Sequence, residues 1–259
     1  MSTAPTVVVH RDAQLLAEAG AARLVTRLVD VQTSRGSASV VLTGGTMGSA
    51  ILAAVAQSPA RDAIDWSRLD VWWGDERFLP TGDPDRNETQ NRAALLDAVP
   101  LDPARVHAMP GPDGPQGDDV DAAAAAYADL LADQAPRGEA TPVFDILLLG
   151  VGPDAHVASL FPGAPALYET ERSVVGVRGS PKPPPVRVSL TMPVLRRADD
   201  VWFLVAGADK AHAVGLALSG AGEVQAPAAG PRGRRATLWL VDRAAATNVP
   251  PALVRVSSP

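Results

Sequence analysis

The segment 144–163 contains the titratable side chains of this sequence that are best placed to do chemistry. The mainly apolar run 144–149 leads directly into Gly-Val-Gly-Pro, and Asp154 and His156 follow two positions apart. An apolar run that ends in a glycine-rich turn is typical of a buried strand, and open α/β sheets bind ligands beyond the carboxyl ends of their strands. Histidine can remove a proton from water near neutral pH. His156 is therefore the candidate general base.

A lone histidine is more often structural than catalytic, and the glycine-rich turn at a strand end is what favours His156. The other histidines have weaker contexts. His10 ends an amino-terminal strand, His107 lies in a loop, and His212 lies in a predicted helix.

A second glycine turn carries Gly44, Gly45 and Thr46 between an apolar run and a segment with helical spacing. Backbone N–H groups at the start of a helix attract anions, so these residues are candidate phosphate ligands. A tight turn without a ligand is an equally good interpretation of this motif alone. The Gly-x-Gly-x-x-Gly fingerprint and the P-loop lysine are absent, so the turn predicts no nucleotide cofactor.

Charged residues follow or precede several other strands. Asp75 and Arg77 come after the apolar run at Trp72 and Trp73. Asp75 could orient a substrate hydroxyl or a catalytic base, and Arg77 could hold an anion or developing negative charge. A solvated ion pair is the alternative. Three later cations could converge on a phosphate, although isolated surface charges are more common: Lys182, Arg187 and Lys210.

Eight short aliphatic or β-branched runs alternate with segments of helical periodicity. They span residues 6–10, 38–43, 70–74, 144–150, 173–177, 186–191, 201–206 and 237–241. This alternation predicts an α/β, Rossmann-like fold with a mostly parallel sheet and helices on both faces. Helical stretches near 89–98 and 120–133 suggest a small helical elaboration at about 83–134 within a single domain covering residues 1–259.

Composition excludes several classes of protein. The formal net charge of −6 and the pI near 5.2 argue against nucleic-acid binding, which relies on Lys and Arg neutralising phosphates. The sequence has no cysteine, which excludes disulfides, a thiolate nucleophile and cysteine-ligated zinc. No secretory signal and no apolar run of about 18 residues is present, so we expect a cytoplasmic protein without a membrane partner.

Taken together, the motifs resemble the glucosamine-6-phosphate isomerase/6-phosphogluconolactonase family, and within it the lactonases. The matching segments occur in the family's order along nearly the whole chain: 44–46, 73–80, 150–163, 180–184, 207–210 and 239–246. The resemblance implies hydrolysis of 6-phospho-D-glucono-1,5-lactone to 6-phospho-D-gluconate in the oxidative pentose phosphate pathway. It implies no metal and no organic cofactor, a small phosphosugar lactone as the partner, and a monomer or weak homo-oligomer.

The resemblance also assigns roles to residues. It implies His156, Asp75 and Arg77 as catalytic residues. Substrate and phosphate contacts would come from Gly44, Gly45, Thr46, Asn87, Gly152, Asp154, Lys182, Arg187 and Lys210. Either Arg77 or a loop amide near Gly152 would stabilise the oxyanion.

Some residues differ from those usual in the family or in its deaminase branch, and these differences help to choose between the possible activities. Ala155 replaces the usual glycine before the histidine, and at a positive φ this alanine would strain the loop by about 1 kcal/mol. Phe161 stands where the deaminases have a glutamate, and Arg77 stands where they tend to have tyrosine. Both differences favour a lactonase over an isomerase or deaminase. A non-catalytic sugar-phosphate sensor of the same fold is the remaining alternative.

Overall fold

The computed structural model describes residues 4–256 and consists of two sheets with helices packed around them. The strands are β1 Thr6–His10, β2 Ala38–Leu42, β3 Leu69–Trp73, β4 Asp75–Arg77, β5 Ile146–Gly150, β6 Val174–Val177, β7 Arg187–Leu190, β8 Asp200–Val205, β9 Ala236–Asp242 and β10 Val254–Val256. The α-helices are α1 Ala13–Arg35, α2 Gly45–Gln57, α3 Asn87–Ala94, α4 Val120–Asp133, α5 Met192–Leu195 and α6 Ala211–Leu218. Short 3₁₀ turns occupy several connections.

The larger sheet confirms the predicted α/β, mostly parallel, Rossmann-like fold. Its strand order is β10-β1-β9-β8-β5-β2-β3, and all neighbouring strands are parallel. Every residue of β8 is buried, as are the first four of β5. Strands that are buried on consecutive residues are covered on both faces, which is why their sequences read as continuous apolar runs.

The smaller sheet is antiparallel, with the order β4-β7-β6. Its strands β6 and β7 correspond to two of the runs predicted from sequence, whereas β4 is not among those runs. Gly74 joins the sheets, because its N–H donates to Leu42 O at 3.1 Å and its carbonyl accepts from Leu190 N at 2.9 Å. Asp75 and Arg77 are therefore held in a ladder rather than on a free loop.

Local signals set the helix ends. Asp12 caps α1, its carboxylate accepting from Leu15 N at 2.8 Å, and Gly36 ends the helix with a φ of 82°. The predicted helix at 89–98 is divided into α3 and a 3₁₀ turn, Leu96–Ala98. Between residues 4 and 256, no helix is long and apolar enough to cross a membrane.

The order of the strands places a crevice between β2 and β5. From β2 the chain moves outward to β3, whereas from β5 it moves in the opposite direction to β8. The turns that follow β2 and β5 therefore diverge at this point, and ligands of open parallel sheets bind in such a crevice. The glycine turn at Gly44 follows β2, and the loop with His156 follows β5.

Candidate active site

A cavity of about 310 Å³ opens beyond the carboxyl ends of β2, β5 and β8. Most of the residues singled out from the sequence line it, although they come from six separate stretches of chain. These are Gly44, Gly45, Thr46, Asp75, Arg77, Asn87, Gly152, His156, Lys182, Arg187 and Lys210. The remaining one, Asp154, is outside the lining but in contact with His156.

The loop that carries His156 is a tight turn closed by its own backbone. Gly152 N donates to His156 O at 3.0 Å, and Ala155 N donates to Gly152 O at 2.9 Å. Ala155 has a φ of 65°, so the positive φ considered for this position is present, at a cost of about 1 kcal/mol. A hydrogen bond of 2.9 Å from Ala228 N to Ala155 O holds the turn from outside.

His156 and Asp154 form a close pair, with 2.5 Å between Nδ1 and Oδ1. Burial disfavours the charged carboxylate, but the hydrogen bond and charge of His156 outweigh burial and lower the pKa of Asp154 to about 2. Because an ionised carboxylate can only accept, Nδ1 must carry the proton. In a neutral imidazole this leaves the lone pair on Nε2, the nitrogen a general base uses.

Gly152 is required by this pair. A Cβ built on Gly152 would lie 2.0 Å from His156 Nδ1 and 2.4 Å from Asp154 Oδ1. Phe161 packs against the imidazole, with ring centroids 4.4 Å apart, and is itself buried. The histidine ring is thus held by a carboxylate, a backbone and an aromatic ring.

Asp75 contacts a different set of residues. Its Oδ2 accepts from Ser159 Oγ at 2.6 Å and lies 3.8 Å from the Arg187 guanidinium. The carboxylate bonded to His156 is therefore Asp154, and Asp75 instead connects β4 with the histidine loop through Ser159. Of the two roles considered for Asp75, a contact with substrate is the one that its place in the cavity wall favours.

Arg77 lies in the wall beside Asp75 and keeps part of its guanidinium uncommitted. Its Nη1 donates to Asp85 O at 2.6 Å, while its Nε is buried without a hydrogen-bond partner in the protein. Because Arg77 lines the cavity, its positive guanidinium is suited to bind a negatively charged group there.

The two glycines of the first turn are required for different reasons. Gly45 has a φ of 78°, a left-handed conformation that favours glycine. Gly44 has an ordinary φ, but the Asn87 side-chain amide packs directly on its Cα, and a Cβ there would lie 1.8 Å from Asn87 Oδ1. Asn87 is oriented by Nδ2, which donates to Asp75 O at 2.8 Å. The glycine pair thus accommodates both a helix start and a neighbouring site residue.

Replacing Gly44 by alanine should therefore displace Asn87 and weaken substrate binding. We expect KM for the substrate to rise about tenfold, the effect of losing one or two polar contacts, while the protein remains folded. Gly74→Ala is the matched control, because the nearest atoms to its Cβ are 3.8 Å away. Equal KM values for Gly44→Ala and Gly74→Ala would contradict this account of the turn.

Two ammonium groups lie in the same wall. Lys182 and Lys210 are the only lysines of the sequence, whose other cationic residues are arginines and histidines, and both line the cavity. Burial, and then the charge of Lys210, lower the pKa of Lys182. Two neighbouring ammonium groups repel each other, so a bound anion would stabilise the pair.

Arg187 lies beside the lysines, and two of its three nitrogens, Nε and Nη2, already donate to backbone carbonyls. It is buried, and its guanidinium donates to Pro184 O at 3.2 Å and to Lys182 O at 3.1 Å. The structure therefore places Arg187 as a brace of the loop that carries Lys182, in addition to its place in the cavity wall. Burial lowers the pKa of Arg187 although Asp75 opposes this.

Sequence reasoning assigned no role to Glu76 or Ser159. Both are buried, and both contact residues of the cavity without lining it. Neighbouring residues were predicted as site residues because they lie at glycine turns and strand ends. No local sequence signal identifies a polar residue that contacts the site residues without lining the cavity. Within residues 4–256, no group of three or more His, Cys, Asp and Glu side chains could hold a metal ion.

Comparisons with known proteins agree with this geometry. Residues 11–239 match the family model described as glucosamine-6-phosphate isomerases/6-phosphogluconolactonase. A protein of Streptomyces coelicolor named 6-phosphogluconolactonase is 68% identical over 255 residues, covering 98% of each chain. One of the same name from Mycobacterium tuberculosis is 46% identical, covering 95% of this chain and 98% of its own. The crystal structure of 6-phosphogluconolactonase from Leishmania guyanensis superposes with a TM-score of 0.81 at 28% identity, covering 96% of this chain and all of its own.

Proposed function

Because the chain belongs to the glucosamine-6-phosphate isomerase/6-phosphogluconolactonase family, we propose that it hydrolyses 6-phospho-D-glucono-1,5-lactone to 6-phospho-D-gluconate. The observation that carries the proposal is one cavity in which an oriented histidine and a pair of lysines face the same space. The first is suited to activating water, and the second to holding a phosphate. The name shared by the relatives supports a lactone as the reacting group.

The phosphate of the substrate would bind between the first turn of α2 and the lysines. No side chain caps the amino end of α2, so its N–H groups are available to an anion. Thr46 adds a hydroxyl, and Lys182 and Lys210 add two charges. A phosphate dianion here would also relieve the repulsion between the ammonium groups.

His156 would act as the general base. As Nε2 accepts a proton, the water oxygen bonds to C1 of the lactone and the carbonyl oxygen becomes negatively charged. The guanidinium of Arg77 would stabilise this oxyanion, or the loop amide near Gly152 would do so. The bond from C1 to the ring oxygen then breaks, and that oxygen takes the proton from the imidazolium. The products are a carboxylic acid, which ionises, and a hydroxyl group.

Asp154 would keep the imidazole in the productive tautomer and stabilise the imidazolium. Asp154→Asn should lower kcat by about ten- to a hundredfold with KM little changed, because the base remains but loses its orientation and its partner charge. Steady-state kinetics of lactone hydrolysis would measure this. Asp62→Asn, at a carboxylate that is 84% exposed and outside the cavity, is the control. A kcat for Asp154→Asn equal to that of the control would refute this role.

The deaminase and the sensor are the alternatives within this fold. Enolisation of a sugar phosphate needs an additional acid or base, and at the corresponding place Phe161 presents an apolar ring to His156. A sensor would have no use for a histidine whose Nδ1 is tied to an ionised carboxylate. Both observations support hydrolysis.

The direct test is to follow 6-phosphogluconate formation from freshly prepared lactone with and without the protein. The spontaneous rate must be subtracted, because lactones hydrolyse in water. We expect a rate far above this background and no deamination of glucosamine 6-phosphate. Binding of 6-phosphogluconate without any acceleration of hydrolysis would favour the sensor and overturn the proposal.

A further inference from the structure

A buried carboxylate lies directly behind the cavity wall. Glu76 is 1% exposed and does not line the cavity, although its neighbours Asp75 and Arg77 do. Its two oxygens accept three backbone hydrogen bonds: from Arg77 N at 2.8 Å, Asn87 N at 2.7 Å and Glu88 N at 2.8 Å. Two of these donors belong to α3, and the third belongs to β4 itself.

These bonds attach the amino end of α3 to β4. The residue before α3, Arg86, provides no side-chain cap, so the first N–H groups of the helix depend on Glu76. A cap on a helix start usually comes from the residue that precedes it, whereas this one comes from a strand ten positions earlier in the chain. The Glu76 side chain therefore joins the amino end of α3 to β4, together with the bond from Asn87 Nδ2 to Asp75 O.

Two cavity residues depend on this attachment. Arg77 donates its own N–H to Glu76, and Asn87 is the first residue of α3. The Asn87 side chain in turn bonds to Asp75 O and packs on Gly44. A shift of the Glu76 carboxylate would thus move groups that face the substrate in two walls of the cavity.

The charge of Glu76 is only partly compensated. Arg86 is equally buried, but its Nη2 lies 3.9 Å from Glu76 and closer, at 3.3 Å, to Glu88. Arg86 also donates to the carbonyls of Leu79 and Met109. Burial raises the pKa of Glu76 to about 7, against the opposing effects of Arg86 and of the three N–H groups. The carboxylate therefore changes its charge within the range of pH in which the enzyme would be assayed.

We propose that Glu76 is a positioning residue of this active site, whose carboxylate holds Arg77 and Asn87 in place for the lactone without touching it. This inference rests on the proposed function, since its consequence is measured in lactone hydrolysis. This role distinguishes Glu76 from buried carboxylates that contribute only to the stability of the fold. Asp145 is such a carboxylate: it is also 1% exposed, accepts from Ser39 N at 2.8 Å, and pairs with Arg35 next to the amino end of β5.

The test compares Glu76→Gln with Asp145→Asn. Each replaces a buried carboxylate by an amide of the same shape, and each amide places donors where the protein already has N–H donors. We expect kcat/KM of Glu76→Gln to fall by at least about tenfold, because displacing catalytic groups by a fraction of an ångström has effects of this size. Asp145→Asn should melt at a lower temperature but keep kcat/KM within about twofold of the wild type. A folded Glu76→Gln with a normal kcat/KM would overturn the proposal.

The pH dependence provides a readout that a merely structural role would not change. The ionised form, which predominates above the pKa of about 7, is the one that accepts all three N–H groups. The ratio of kcat/KM between wild type and Glu76→Gln should therefore be large at about pH 8 and shrink towards about pH 6, where the wild type is itself protonated. Effects of His156 cancel in this ratio. A constant ratio would contradict the proposal.

Five ionisable groups from the elements packed around Glu76 also face its carboxylate. They are Arg77 on β4, Arg86 and Glu88 at the start of α3, Tyr127 on α4 and Arg187 on β7. Burial raises the pKa of Tyr127 well above its ordinary value, and the arginines stay charged at neutral pH. Glu88 is paired with Arg86 and Arg92.

Two further variants complete the test. If Glu76 acts through Arg77 and Asn87, adding Glu76→Gln to the double variant Arg77→Ala/Asn87→Ala should cost little more than that double variant alone; losses that multiply would overturn the proposal. Should Glu76→Gln fail to fold, Glu76→Asp takes its place, because it keeps the charge and withdraws the carboxylate by one methylene. For Glu76→Asp, a loss of kcat/KM of about tenfold or more supports the proposal, because the displaced carboxylate moves the same catalytic groups. A normal kcat/KM for this variant refutes it. A wild type that does not hydrolyse the lactone would refute the proposed function instead.

Discussion

Replacing His156 by alanine is expected to lower kcat for 6-phosphogluconolactone by about a hundredfold or more, because general-base catalysis contributes about 10²–10⁴ to the rate. KM should change little. The imidazole is held by Asp154, Gly152 and Phe161, and the proposed phosphate ligands lie on other elements. The measurement is the initial rate of acid release at saturating lactone, with the spontaneous rate subtracted.

His212→Ala is the matched control for this experiment. His212 is an exposed histidine on α6, outside the cavity wall, so its loss should leave kcat unchanged. Circular dichroism and melting curves should be the same for both variants and the wild type. If folded His156→Ala retained a near-normal kcat, His156 would not be the base, and the oriented pair with Asp154 would need another explanation.

Replacing Lys210 by alanine is expected to raise KM for the phosphorylated lactone by about ten- to a hundredfold. A hydrogen bond between charged groups contributes about 1.5–3 kcal/mol, and RT converts this range into such factors. Removing the ammonium group should leave the hydrolysis of unphosphorylated glucono-1,5-lactone almost unaffected, because that substrate has no phosphate to bind. The comparison of the two lactones on one variant is therefore the informative measurement.

The control for Lys210 is another cation at a different place. Arg178 is 58% exposed, pairs with Asp121, and does not line the cavity, so Arg178→Ala should leave KM unchanged for both lactones. Raising the ionic strength should increase KM of the wild type more than that of Lys210→Ala, because salt screens the interaction between ammonium and phosphate. If Lys210→Ala affected both lactones equally, Lys210 would not contact the phosphate.

Much of the fold could be predicted from the sequence because the relevant signals are local. Buried strands such as β5 and β8 have consecutive apolar residues, and the turns after β2 and β5 contain glycine where the backbone or a neighbouring side chain requires it. The same locality identified His156 and Gly44 as residues at strand ends. The positive φ at Ala155 agrees with the family resemblance, which has glycine at this position and so raised the possibility of a positive φ.

Other features depend on which elements meet, and nothing local encodes them. The runs at β6 and β7 resemble any other strands, yet they pair with β4 in a separate antiparallel sheet. Arg187 was predicted to contact the phosphate and does line the cavity, but only the tertiary structure shows that its Nε and Nη2 also donate to backbone carbonyls in the loop of Lys182. Asp75 was considered as the residue that orients the base and Asp154 as a substrate contact, whereas the distance of 2.5 Å from Asp154 Oδ1 to His156 Nδ1 shows that Asp154 is the carboxylate bonded to the imidazole.

Thus the sequence by itself determined the class of fold and the chemical groups available to the site, because apolar periodicity, glycine turns and titratable residues are properties of short segments, and the resemblance of its motifs indicated the family. Only the tertiary structure decided how those groups are divided between the cavity wall and the support behind it. Glu76 is the clearest case. Its role arises from three N–H groups on β4 and on a helix that begins ten residues further along the chain, and no spacing in the sequence specifies that these elements meet.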